Sequence, residues 1–151
     1  VTEADCYTCT REAEFDRLPP RERIALDEHW RVVHATGSGL LGWLVLTPRR
    51  HVMELADLTD DEARGLGDWQ VRLARALTAE LGTGAAKVYV AEFGEKPGFH
   101  LHFHVVPRAV DFAEERRGPG VFGYLNQDAS GTVAADACDE LALRLSARLG
   151  S

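Results

Sequence analysis

Apolar and polar residues alternate along HWRVVHAT (29–36), the pattern of a strand with one buried face. WLVLTP (43–48) is a short apolar run closed by proline, which predicts a buried strand. DRLPPRER (16–23), with its double proline, and TGSGLLG (36–42) read as connections. The period then changes. Ala63, Leu66, Trp69, Leu73, Leu77 and Leu81 recur every three or four residues and so share one face of a helix. Thr59 and Glu62 make the T-D-D-E capping box that starts this helix, with Thr59 as N-cap, and Gly82 is placed to end it. KVYVAEFG (87–94) predicts a strand, EKPG (95–98) a turn, and the histidine-bearing stretch after it another strand. ERRGPGVFGY (115–124) is irregular. AADACDELALRLSARL (134–149) predicts a second helix, with Cys138, Leu141, Ala142, Leu145 and Leu149 facing inward. Strands, helix, strands, helix in this order give an α+β fold with a mostly antiparallel sheet and two main helices.

Length and composition narrow this picture without redirecting it. A chain of 151 residues with 45% hydrophobic content suits one soluble domain, 1–151. The net charge of −7, with arginine pairs only at 49–50 and 116–117, leaves no basic stripe for a nucleic-acid backbone. No apolar run reaches the length of a membrane span. VTEADCYTC lacks the charged-then-apolar layout of a secretory signal, and three cysteines are an odd count. Both point to a reducing compartment, the cytoplasm.

The chemistry concentrates in GFHLHFHVVPR (98–108), where three of the six histidines fall at 100, 102 and 104. On a strand these share one face, with Leu101, Phe103 and Val105 on the other. Imidazole is a poor choice for an ordinary half-buried strand surface, so the cluster reads as a site for metal, protons or nucleophilic attack. Cys6 and Cys9 form a C-x-x-C pair with the spacing of zinc hooks, although a redox pair has the same spacing. Adding His51 and His100 gives a closed, structural Cys2His2 set. His102 and His104 would then be free of metal. A neutral imidazole attacks phosphorus well when its other nitrogen is held by an acceptor, such as a backbone carbonyl on the same strand. His104 would bind phosphoryl oxygens or tune His102.

The run His100-Leu101-His102-Phe103-His104-Val105-Val106, followed by Pro107 and Arg108, resembles the histidine triad (HIT) family motif, three histidines separated by single apolar residues. GWLVLTPRRHVMELADLTDDE (42–62) is similar to the family's strand, Pro-x-x-His segment and helix start, and CYTC (6–9) fits its zinc-binding branch. The likeness covers residues 6 to about 108; the segment 109–151 matches no motif. The resemblance implies a HIT-like sheet that continues across a homodimer. It implies a nucleotidyl hydrolase or transferase in which His102 attacks the α-phosphate of a nucleotide or nucleotide conjugate and becomes transiently nucleotidylated. It also implies structural zinc on Cys6, Cys9, His51 and His100, as in the distantly similar galactose-1-phosphate uridylyltransferase. The alternative is a non-catalytic, nucleotide-binding or regulatory homodimer. A zinc enzyme using His102 and His104 as further ligands ranks below both, because four protein ligands leave no open position.

The sequence departs from the family around the substrate. The histidine that usually precedes the apolar strand is replaced by Gly42, followed by Trp43, which leaves His104 without its customary partner. Where Asp or Asn usually binds the ribose hydroxyls, His34 stands as the candidate substrate ligand. Before the triad, Pro97 occupies a Ser/Thr place, and Lys96 could hold phosphate as a point charge.

Overall fold

The computed structural model describes residues 5–94, 99–125, 128 and 130–150. Its centre is an antiparallel five-stranded sheet in the order β1-β2-β3-β5-β4. The strands are β1 (Ala25–Leu26), β2 (Trp30–His34), β3 (Leu44–Pro48), β4 (Lys87–Ala91) and β5 (Phe103–Arg108). Three helices accompany them: α1 (Tyr7–Ala13), α2 (Asp60–Leu81) and α3 (Ala135–Leu149). The α+β class and both main helices are as the sequence predicts. Helix α1 is not foreseen, because YTCTREA carries no apolar period. Among the described residues no helix is long and apolar enough to cross a membrane.

The two faces of the sheet follow from strand alternation. Trp30 and Val32 of β2, Leu44 and Leu46 of β3, and Phe103 and Val105 of β5 face one way. With Trp69, Leu73 and Leu77 of α2 and Leu141 and Leu145 of α3 they form the main core. The opposite face carries Arg31, Val33, Val45, Thr47 and His104. A smaller core of Trp43, Val106 and Val121 closes one end of it, packed by Phe112, Phe122 and Tyr124. The segment 109–125, which no motif explains, therefore helps to wall the second face.

Regular pairing of β5 begins later than the sequence suggests. Its ladder with β3 starts at Leu46 opposite Phe103, so His100 and His102 precede the strand proper. Two other bonds pin this lead-in. The Leu101 N–H donates to the Val52 carbonyl at 2.7 Å. The Thr47 hydroxyl donates to the Leu101 carbonyl at 3.0 Å.

Helix α2 begins as its capping box requires. The Glu62 N–H donates to Thr59 Oγ1 at 3.3 Å, and Glu62 Oε2 accepts from the Thr59 N–H at 2.7 Å. Glu62 also accepts two bonds from Arg50, at 3.0 and 2.8 Å, and its carbonyl accepts from the Trp30 indole at 3.0 Å. The Arg50 bonds, with the Thr59 contacts behind them, hold the Glu62 carboxyl at about 2. Thr59→Ala should cost about 1 kcal/mol, and Glu62→Gln should cost more because it also breaks the pairing with Arg50. A depressed carboxyl contributes stability that is complete above its unfolded pKa and is lost on acidification. In urea unfolding, the gap between wild type and Glu62→Gln should therefore narrow as pH falls from 4.5 towards about 2.

Candidate active site and zinc centre

Four of the residues singled out in the sequence meet at the start of α1. The ligand atoms of Cys6, Cys9, His51 and His100 all lie within 4.8 Å of one another. Cys9 Sγ is 3.3 Å from His51 Nδ1, and His100 Nδ1 is 3.5 Å from Cys6 Sγ and 3.6 Å from Cys9 Sγ. The tautomer of His100 is set from behind. Its Nε2–H donates to the Pro48 carbonyl at 2.8 Å, so Nδ1 presents its lone pair to the thiols. Burial lowers the His100 pKa, and the Pro48 bond offsets part of that effect. The ring is thus kept neutral, as a ligand must be. Three free cysteines and no disulfide are found among the described residues. Two sulfurs and two imidazole nitrogens converging in this way fit a tetrahedral zinc ion, and all four positions are filled by protein.

His102 and His104 stand apart from this cluster and line a cavity of about 500 Å³ with Phe99, Thr47 and Val45. The His102 Nδ1–H donates to the His100 carbonyl at 3.0 Å, the backbone acceptor that the sequence argument asks for. Its Nε2 is left with the lone pair. Phe99 lies against the His102 ring at 4.8 Å and His104 meets it edge-on at 4.7 Å.

The structure corrects the expectation that His104 lacks a partner. Trp43 fills that place: its indole N–H donates to His104 Nδ1 at 3.0 Å. Position 42 could not have served. Gly42 has φ of 86°, and a Cβ there would come within 2.8 Å of the Leu81 side chain on α2. The sequence hid this link, because a partner for imidazole is ordinarily sought among ionisable residues. Phe122 is a second residue the sequence did not reveal. It packs edge-on against both His104 and Trp43, at 5.1 and 5.3 Å. Burial, with the neighbouring His102 adding to it, lowers the His104 pKa to about 4.

The two candidate substrate ligands fare differently. His34 touches the cavity, but both ring nitrogens are engaged within the fold. Nδ1–H donates to the Ala35 carbonyl at 3.0 Å, and Nε2 accepts from the Gly42 N–H at 3.0 Å. A ribose diol would have to displace one of these bonds, so His34 as placed serves the 35–42 connection rather than a ligand. Cys138 of α3 lies 3.7 Å from the same Nε2, inside the core as expected. Lys96 and Pro97 lie outside the described residues.

A sheet of this order, with a triad segment on its open face and two cysteine sulfurs beside it, defines a histidine triad protein. The HIT domain family model matches residues 19–111, and the chain belongs to that family. Among solved structures, a zinc-bound histidine triad family protein from Mycobacterium smegmatis is similar at TM-score 0.71 and 23% identity, over 99% of this chain and 98% of that one. A Hit-like protein involved in cell-cycle regulation from Bartonella henselae is similar at TM-score 0.71 and 16% identity, over 98% and 99%. A Plasmodium falciparum diadenosine triphosphate hydrolase is similar at TM-score 0.65 and 14% identity, over 88% and 79%. No curated protein sequence matches the chain.

An indole N–H can only donate, so it fixes His104 as the neutral tautomer with the proton on Nε2. Nitrogen-15 NMR of the imidazoles should show His104 Nδ1 unprotonated at neutral pH and the ring titrating near pH 4. In Trp43→Phe the neutral form loses its donor. The His104 pKa should then rise and its tautomers mix; an unchanged spectrum would remove Trp43 from this role.

Proposed function

We propose that this chain is a nucleotidyl hydrolase or transferase that works through a covalent nucleotidyl-His102 intermediate. The observation that carries the reading is the His102 Nδ1–H bond to the His100 carbonyl, which leaves Nε2 free to attack inside the cavity. A bond forms between Nε2 and the α-phosphorus, and the leaving group departs with the electrons of its own bond to phosphorus. Water or another acceptor then displaces the imidazole and releases the nucleoside monophosphate. His104, held neutral by Trp43, offers Nε2–H to a phosphoryl oxygen as charge develops there. Lys96 remains the candidate cation for the phosphates on sequence grounds.

Zinc in this reading is structural and takes no part in the displacement. Cys6, Cys9, His51 and His100 would hold it, and the zinc-bound relative supports the assignment. Its thiolates suit the reducing cytoplasm. A homodimer that continues the sheet past the β4 edge belongs to the same proposal. Val90 and Phe93 are 43% and 57% exposed at that edge.

His102→Ala should abolish turnover of nucleoside phosphoramidates and dinucleoside polyphosphates. It should also remove the acid-labile nucleotidyl adduct seen by mass spectrometry after acid-free quenching of the wild type. Nucleotide binding without any turnover by the wild type would instead select the regulatory reading. For the metal, elemental analysis should find one zinc per chain. Cys9→Ser should lose most of it and lower the melting temperature, since the metal's binding energy supports the fold. A metal-free native chain of unchanged stability would overturn the site.

A further inference from the structure

Arg31 sits on the open face of the sheet at 3% exposure and lines the same cavity as His102. Its guanidinium is poorly satisfied. Nε and Nη1 have no hydrogen-bond acceptor among the described residues, and Nη2 makes one long bond, 3.4 Å, to the Thr8 carbonyl. Glu12 Oε2 lies 3.5 Å from Nε, within ion-pair range, yet makes no hydrogen bond itself. The other oxygen of Glu12 is taken by Arg49 at 2.6 Å. The neighbouring cavity charges, Arg11 and Glu22, are committed to each other through two bonds of 2.8 Å. Arg31 is therefore a buried donor fork with unused N–H groups beside the site. Buried polar groups are seldom left so without a ligand to complete them.

Its position relative to His102 follows from strand register. Arg31 pairs with Thr47 across β2 and β3, and Val45 pairs with His104 across β3 and β5. The ladder ends at Phe103, but the Thr47 hydroxyl donates to the Leu101 carbonyl next to His102 at 3.0 Å, so Arg31, Thr47 and the triad segment follow one another across the open face. At roughly 4.8 Å between strands, Arg31 lies about 10 Å along the sheet from the triad segment. That is the scale of the distance from an α-phosphorus to the far edge of its nucleobase.

We infer that Arg31 reads the nucleobase and selects 6-oxopurines, guanine and hypoxanthine, over adenine; this rests on a nucleotide lying with its phosphorus at His102. Guanine and hypoxanthine offer O6 and N7, two acceptors side by side, to a guanidinium fork. Adenine offers N7 beside an amino donor, which opposes the arginine N–H groups. Glu12 already supplies one negative charge beside Arg31, so a neutral carbonyl fits the site better than a second anion.

Steady-state kinetics on guanosine, inosine and adenosine 5′-phosphoramidates test the inference. The wild type should favour the two oxopurines in kcat/KM by about tenfold to a hundredfold, mainly through KM. Arg31→Met should erase the preference by weakening the oxopurines while leaving adenosine near its wild-type value. Should that variant fold poorly, calorimetry of GMP, IMP and AMP on the zinc-loaded wild type gives the same comparison. Oxopurine-selective binding without turnover supports the subsite while the His102 chemistry falls. Turnover with no base preference, or with adenosine preferred, overturns the subsite and leaves the chemistry standing. Equal losses for all three bases in Arg31→Met overturn it too, because they mark a purely structural arginine.

Discussion

The bond from His100 Nε2–H to the Pro48 carbonyl organises more of this molecule than its 2.8 Å would suggest. It turns the other nitrogen of His100 towards two sulfurs and so brings α1 to the sheet. That helix is seven residues long and none of them is buried. A helix so short has little stability of its own, and it has no apolar face with which to dock. What holds it is polar: the Cys6 and Cys9 sulfurs at its start, the Arg11–Glu22 pair, and Glu12 bonded to Arg49. Helix α1 supplies one wall of the cavity and places Thr8 against Arg31. The zinc centre and the cavity beside it are thus joined in structure.

The three imidazoles have one sequence pattern and three different jobs, divided by what each ring's second nitrogen meets. His100 gives its proton to Pro48 and is left a ligand lone pair on Nδ1. His102 donates its Nδ1–H to the His100 carbonyl and is left a lone pair on Nε2. His104 receives a proton donor from Trp43 and is left an N–H on Nε2. Two of these controls are backbone carbonyls, which any sequence supplies. Only the third depends on a particular side chain, Trp43.

Legibility in the sequence followed the same division. The strands at 30–34 and 44–48, the capped helix α2 and the inward face of α3 were all readable, because each is written in a local period or a capping signal. The Cys6, Cys9, His51 and His100 set was readable because ligand chemistry admits few residue types. Helix α1 was not, since ligands and ion pairs fix it rather than periodicity. The Trp43–His104 and Phe122–His104 contacts were not, since they span sequence separations that carry no pattern. His34 is the converse case: both its ring nitrogens bond the chain at 35–42, a use that no local pattern shows.

A tryptophan partner does more for His104 than make a contact. An imidazole beside His104 could accept or donate and could exchange a proton with solvent. An indole can only donate and does not titrate in this range, so it keeps Nδ1 unprotonated at neutral pH. Phe93 and Phe122 extend the apolar side of the same cluster, their rings 5.3 Å apart. In the proposed reaction His104 would therefore meet the phosphoryl group as a directed hydrogen-bond donor rather than as a cation, and less of the transition-state charge would be balanced at this end of the cavity. In the proposed reaction the compensating positive charge has to come from elsewhere: Arg31 lines the same cavity as His102, and Lys96 is the candidate cation on sequence grounds. Specificity and charge balance would then be carried by arginine and lysine, while His104 is kept neutral.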